Sequence, residues 1–246
     1  MKHFMIFLAA ILLALPFEAH SQEPDIFQKV SGSSEIRHGD TIQYHIPVNV
    51  RYLFPEFTQA AVFNHNGSRY FGTVNVSLLD QRLKMIDSNG DTLDVYNQEA
   101  IDRVNTEHFR LVRASDKFVV IHTEYNDVTL SVYTELHIAS DNKEEGSRHG
   151  SKISSISDSY LSGQFKNAPY VPKDRSKNVN TLQYFRESEY VLTVGTTMLP
   201  ATESSFIRIF PRKKKAIKEF VNTYRVDFEN PDSITTLLEL CTGDDR

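Results

Sequence analysis

Two histidine–carboxylate pairs come closest, by residue type and spacing, to a metal site in this chain. His122 and Glu124 lie two positions apart, as do Glu135 and His137. Side chains two apart on a β-strand share a face, so each pair offers an imidazole and a carboxylate, both ligands of Zn²⁺. A short turn between the two strands places His122 opposite the start of the second strand. His137 then lies more than about 15 Å away at about 3.3 Å per residue, and solvent-facing strand residues are favoured over metal ligands.

The acidic segment 87–91 resembles the start of a calcium-binding loop. It reads Asp-Ser-Asn-Gly-Asp, but the twelfth position of such a loop falls on Asn97, which cannot supply the bidentate carboxylate that calcium requires. An Asn-Gly pair between two apolar runs is a strong hairpin signal. The segment therefore favours a hairpin turn.

Sequence motifs of the common enzyme classes do not occur in the chain. It contains no zinc-protease helix motif, P-loop, dinucleotide-binding glycine motif or nucleophile elbow. Ser, His and Asp are numerous, but no spacing links a triple of them, so a hydrolase with a site formed only in the fold stays an open alternative. The sequence names no catalytic residue, cofactor or metal ligand, and it favours a non-enzymatic role.

Four consecutive basic residues occupy positions 212–215. Next to a membrane, each would contribute roughly 1 kcal/mol of attraction to anionic lipid or to lipopolysaccharide phosphate. Glu219 and the acidic pair Asp244-Asp245 balance the charge locally. The pattern therefore favours a solvated helix face.

Strand signals dominate the region from about residue 36 to 138, with alternating apolar residues between short turns. About seven strands are predicted, at 42–48, 71–78, 83–86, 92–96, 108–113, 117–123 and 128–138. Connections this short require antiparallel neighbours. Residues 22–138 are predicted to form an antiparallel meander or a partly closed barrel.

The chain changes character after residue 138. Residues 139–180 are polar and Ser-rich, and they predict an exposed loop or linker. A further hairpin is expected from residues 183–185 and 190–194, turning around Glu187-Ser188-Glu189.

The C-terminal segment has helical spacing. Phe206, Ile207 and Phe210 predict a short helix that Pro211 ends. The apolar face of the next helix is expected to contain Ala216, Ile217, Phe220, Val221 and Tyr224. Asn230-Pro231-Asp232 predicts the start of a last helix, which Gly243 stops. Its apolar positions are Ile234, Leu237, Leu238 and Cys241, so Cys241 is expected to be a core residue and not a reactive thiol. Residues 181–246 are thus predicted to form a hairpin plus a helical unit, and the predicted fold class is α+β.

Composition narrows the classes of protein further. The 246 residues have an ordinary globular composition and a formal net charge of −5, which argues against nucleic acid as a partner. The single cysteine excludes an intrachain disulfide.

The first residues resemble a cleavable signal peptide. After Met1-Lys2-His3, an apolar run of about 12 residues ends at Pro16, whereas a membrane-spanning helix needs about 20. Ala19-His20-Ser21 places small residues where a signal peptidase reads, so residues 1–21 are expected to be removed before Gln22. Export to the periplasm or the outer membrane, or secretion, is predicted, with no membrane span in the mature chain.

Two patterned stretches carry a resemblance to a known family. The first runs through Tyr-Leu-Phe-Pro-Glu-Phe at 52–57, Val-Asn-Val-Ser-Leu-Leu at 74–79 and Leu-Lys-Met-Ile-Asp at 83–87; the second is the C-terminal stretch 205–228. Together they resemble a family of uncharacterised exported proteins of Gram-negative gut-type bacteria, over residues 52–240. The resemblance implies export and the order of β region before helices, and it brings no catalytic residue or ligand.

The sequence therefore predicts an exported envelope protein with a binding or assembly role, whose partner is another envelope protein or a surface component. Two alternatives stay open. One is a binder of a small apolar ligand inside a curled sheet, which needs a cavity lined by Val74, Val76 and Leu78. The other is the hydrolase with a hidden site.

Overall fold

The structure is a computed structural model that describes residues 29–37, 39–140 and 179–243. The predicted signal peptide at 1–21 lies outside the described residues, as does most of the predicted loop at 139–180.

Eleven strands form one antiparallel sheet in the described part of the chain. The strands are β1 (Val30–Arg37), β2 (Thr58–Asn64), β3 (Arg69–Ser77), β4 (Arg82–Ile86), β5 (Thr92–Asp94), β6 (Ile101–Thr106), β7 (Arg110–Ala114), β8 (Lys117–Tyr125), β9 (Val128–Ser140), β10 (Val179–Val194) and β11 (Thr197–Pro200). The helices are α1 (Val48–Arg51), α2 (Glu203–Ile209), α3 (Lys214–Tyr224) and α4 (Pro231–Thr242). The predicted α+β class, an antiparallel sheet followed by a small helical unit, is confirmed.

The sheet consists of two runs of sequential antiparallel strands, β6 to β10 and β2 to β5, that meet where β2 pairs with β6. Its order is β1-β10-β9-β8-β7-β6-β2-β3-β4-β5, with β11 beside β10. Because the sheet does not close, β1 and β5 are edge strands.

One face of the sheet packs against residues 42–57, which cross it as a strap. Ile46, Val50 and Leu53 of the strap are at most 3% exposed and join the same apolar cluster as Val74 and Val76 of β3. The residues that an apolar-ligand cavity would expose are therefore part of a packed core, and this packing gives the apolar-ligand alternative no support.

A buried arginine fixes the strap to the sheet. Arg186 of β10 is 5% exposed. Its guanidinium donates hydrogen bonds to the carbonyl oxygens of Leu53, at 2.9 Å, and Tyr52, at 3.3 Å. The two carbonyls thus accept hydrogen bonds from the buried guanidinium, and without it they would be buried with no donor.

The strap corrects one predicted strand. Residues 42–48 were expected to be extended, but Ile42–His45 is a 3-10 turn and α1 begins at Val48. The cause is Pro47, which cannot donate to a strand ladder and whose carbonyl accepts from the amides of Val50, at 3.0 Å, and Arg51, at 3.1 Å.

Strand β10 corrects a second prediction. Residues 183–194 were expected to turn at Glu187-Ser188-Glu189, but they lie within one strand of 16 residues. Glu187, Ser188 and Glu189 pair in register with Glu135, Thr134 and Tyr133 of β9. The segment has no Gly, Asn or Pro to favour a turn, and the long partner strand supplies its hydrogen bonds.

Strands β1 and β6 were not predicted from the pattern of apolar residues. In β1 only Ile36 is buried, and in β6 the buried Ile101 and Val104 are three residues apart. In β6 this spacing is not the two-residue alternation of a half-buried strand. In β1 burial does alternate, but Gly32 and Ser34 occupy inward positions where apolar residues would give the signal, so both strands depend on their partners β10 and β2.

The helical unit covers the end of the sheet that contains Leu130 and Leu192. Phe206, Ile217, Ile234 and Leu237 are fully buried there. As predicted, Asn230 caps α4, since its side-chain oxygen accepts from the amides of Asp232, at 2.9 Å, and Ser233, at 3.4 Å.

Cys241 is a core residue, as expected. It is 5% exposed within the cluster of the helical unit. Burial raises the pKa of its thiol to about 11, only partly opposed by Lys213, so the reactive thiolate is disfavoured.

The apolar face predicted for α3 is wrong at two positions. Ile217 is buried and Phe220 and Val221 are half-buried, but Ala216 is exposed and Tyr224 is 69% exposed. The helix contacts α2 and α4 along a narrower stripe than its sequence allows. Among the described helices, none has the length and apolar character needed to cross a membrane.

Candidate functional site: a polar cleft at the sheet edge

The strap and the β4–β5 hairpin form the two walls of a cleft beside the sheet edge. The strap is held in place by main-chain bonds: the Leu53 amide donates to Val76 at 2.9 Å, and the Leu78 amide donates to Arg51 at 2.7 Å. These bonds bring Arg51 next to β3 and β4, although it lies far from both in sequence.

Asn75 locks the same junction from within the core. It is 1% exposed, accepts from the Phe54 amide at 3.1 Å and donates to the Phe54 carbonyl at 2.8 Å. A buried amide that satisfies both groups of another residue's backbone fixes the position of the strap.

The cleft has a volume of about 470 Å³ and a mixed lining. Tyr44, Arg51 and Tyr52 contribute from the strap, and Lys84 and Asp94 from the hairpin. The size is in the range of sites for small molecules or for one or two side chains of a partner.

A buried ion pair forms the floor of the cleft. The Lys84 ammonium lies 2.8 Å from the Asp80 carboxylate, which is 3% exposed, and also pairs with Asp94. Burial by itself would lower the pKa of Lys84, but the hydrogen bonds and charges of Asp80 and Asp94 prevail, and its pKa is raised. Lys84 is therefore a charged ammonium already occupied by two carboxylates, of which Asp94 also lies 3.5 Å from Arg82.

Arg51 is different, because its guanidinium has no such partner. No described carboxylate lies within ion-pair distance of it, and its Nε is buried without a hydrogen-bond partner. The guanidinium carbon lies 5.9 Å from the centre of the Tyr52 ring. A planar guanidinium with free donors binds carboxylate or phosphate in a bidentate manner.

Apolar surface surrounds this cation at the rim. Tyr44 is 76% exposed and Leu93 is 49% exposed. Leu93 belongs to β5, whose outer edge is unpaired within the described sheet. Exposed apolar side chains beside an open strand edge are features of a surface that a partner covers.

The cleft is suited to binding and poorly suited to acid–base catalysis. Of the described residues that line it, none is His or Cys, and the carboxylates of Asp80 and Asp94 are held by Lys84. A carboxylate bound to an ammonium is a weak general base.

The two histidine–carboxylate pairs stay apart in the structure. His122 lies at an irregularity of β8 opposite Leu130 and Ser131, close to the predicted register, and its ring lies 5.9 Å from that of Tyr190. His137 instead stacks on Phe185 at 4.4 Å, on the other face of the sheet, since Phe185 and Tyr190 alternate along β10.

The acidic segment 87–91 is a hairpin turn, as predicted. The Asp87 carboxylate accepts from the amides of Asn89 and Asp91, both at 2.8 Å, and Gly90 has a φ of +86°. The Asp87 side chain is thus used by the backbone of its own turn.

Two histidine–aspartate contacts bear on the hydrolase alternative. His45 lies 3.1 Å from Asp40, and His65 lies 3.5 Å from Asp102 beside a second cavity of about 340 Å³. Neither histidine forms a hydrogen bond to a Ser, Thr or Cys side chain among the described residues. In a catalytic triad the imidazole accepts a hydrogen bond from the nucleophilic hydroxyl or thiol. Neither of these two histidines is placed to act as such a base.

The residues of the cleft were not predicted from the sequence. Arg51 and Lys84 are brought together only by the pairing of the strap with β3, and no spacing rule connects them. Asn75 gave no signal either, because it occupies a polar position of the alternating stretch 71–78.

No protein-family model, curated protein or solved structure matches this chain.

Proposed function

We propose that this protein is an exported, non-enzymatic envelope protein that binds a partner at the cleft. The partner is a surface segment of another envelope protein or surface component that presents a carboxylate or phosphate beside an apolar group. Export is supported by the signal-peptide pattern of residues 1–21.

The observation that carries the proposal is the unpartnered guanidinium of Arg51 within a cleft whose other charges are paired. An anionic group would satisfy its free donors, while Tyr44 and Leu93 would bury an apolar neighbour of that group. Because Lys84 and Asp80 already neutralise each other at the floor of the cleft, a partner that brings a second charge there would be disfavoured.

Site-specific photo-crosslinking in the native envelope tests this function. A photoreactive amino acid at Tyr44 should give one defined adduct, and Arg51→Gln should abolish it. The matched control is Arg103→Gln, because Arg103 is paired with Asp102 at 2.9 Å and lies at the other cavity. The adduct should survive that change.

The Arg51 variant should keep its fold, since the side chain forms no ion pair or hydrogen bond within the described residues and its only aromatic contact there is the ring of Tyr52. An unchanged urea midpoint would show this. Two results would refute the cleft as the binding site. One is an adduct that persists in Arg51→Gln. The other is no adduct from a photoreactive residue at Tyr44, combined with an adduct from one at the exposed Phe71, outside the cleft.

Export is tested separately by mass spectrometry of the N-terminus after cell fractionation. The expected mature chain begins at Gln22, outside the inner membrane. Retention of residues 1–14 in an inner-membrane fraction would contradict it.

A further inference from the structure

The basic run at 212–215 does not act as one unit in the structure. Lys213 points back to α4, where its ammonium donates to the carbonyls of Gly243, at 2.6 Å, and Leu240, at 3.2 Å. Arg212, Lys214 and Lys215 are exposed. The run therefore divides into one structural lysine and a set of outward cations.

The outward cations continue along α3. Lys214, Lys215 and Lys218 lie within about 100° of arc around the helix at 3.6 residues per turn, and the exposed Arg212 and Arg225 flank the two ends. We call these five residues the basic face. The three lysines lie along one side of α3, and the two arginines lie just outside its ends.

Within the described residues, none of the five cations forms an ion pair. Glu219 is four residues beyond Lys215, yet it is not paired with it. Glu219 therefore lies close to the basic face without a direct ion pair, and Asp244 and Asp245 lie outside the described residues. An unpaired cluster of one sign on a chain of net charge −5 makes the protein electrically asymmetric.

We propose that the basic face docks the protein on an anionic lipid bilayer. Basic side chains next to anionic headgroups add attraction that salt screens. This surface lies on the helical unit and is independent of the cleft.

Vesicle sedimentation tests the proposal. The protein is used in its expected exported form, which begins at Gln22, so that all variants share the same N-terminus. Phosphatidylcholine vesicles with phosphatidylglycerol should bind the protein, and phosphatidylcholine alone should not. Lys214→Gln with Lys218→Gln should weaken binding roughly 25-fold, about 5-fold per charge removed. High salt should release the protein.

The matched control is Arg37→Gln with Arg69→Gln, two exposed cations of the sheet, which changes the net charge equally. Its binding should equal that of the wild type. If both double variants lost vesicle binding equally, the effect would come from net charge and not from the basic face, and the proposal would be overturned. Binding to soluble polyphosphate without binding to anionic vesicles would also overturn it, in favour of a soluble polyanion.

Discussion

The ammonium of Lys213 lies 2.6 Å from the carbonyl oxygen of Gly243, 30 residues away in sequence. It thereby caps the C-terminal end of α4, where the last carbonyls of a helix lack intrahelical donors and the helix dipole is negative. A lysine in a basic run is thus a tertiary contact of the helical unit.

Replacing this lysine tests the contact. Lys213→Met should lower the free energy of unfolding by about 1 kcal/mol, because the carbonyls of Leu240 and Gly243 lose a charged donor. Lys214→Met, one residue away and exposed, should leave the urea midpoint unchanged. Equal effects of the two substitutions would show that only overall charge matters.

Arg186 should be among the most sensitive polar positions of the sheet. Arg186→Met should cost about 3 kcal/mol, since it leaves the buried carbonyls of Leu53 and Tyr52 without their donor. The exposed Arg69→Met serves as the control. A loss below that of the control in urea unfolding would mean that the strap is held without Arg186.

Two phenylalanines of the helical unit should differ in their contribution to stability. Phe206 is fully buried, so Phe206→Ala should cost about 3–5 kcal/mol. Phe220, which its spacing predicted to be a core residue, is only half-buried, and Phe220→Ala should cost roughly 1–2 kcal/mol. Denaturant titration of both variants decides the order, and an equal or reversed order would place Phe220 in the core.

Glu189 makes stability depend on pH. Burial and the neighbouring carboxylates Glu135 and Glu187 raise its pKa above the usual 4.5, against the opposing charges of Lys117 and His137. The folded state then holds the proton more tightly than the unfolded state, so this contribution is complete below pH 4.5 and is lost as the pH rises through the folded-state pKa.

Glu189→Gln should therefore be more stable than the wild type at neutral pH, and the difference should grow as the pH rises from the acid side. Urea midpoints across this pH range measure it. Glu107→Gln, at a side chain that is 84% exposed, should run parallel to the wild type. A wild type that gains stability relative to Glu189→Gln with rising pH would reverse the assignment.

The local chemistry of the chain could be predicted from its sequence. The Asn-Gly hairpin at 87–91, the Asn230 cap, the buried Cys241 and the antiparallel order of the strands all follow from short-range signals, because turns, caps and alternation depend on neighbouring residues. The separation of His122 from His137 followed from strand register alone.

Other features were decided only by the tertiary structure. Whether 183–194 turns or runs straight depended on the length of β9, and whether Lys213 faces solvent or α4 depended on where Gly243 lies. The cleft itself requires the strap to cross the sheet and bring Arg51 beside Lys84. Contacts between residues distant in sequence are set by the packing of the whole core, and for this reason the sequence indicated the class of fold but left the site to the structure.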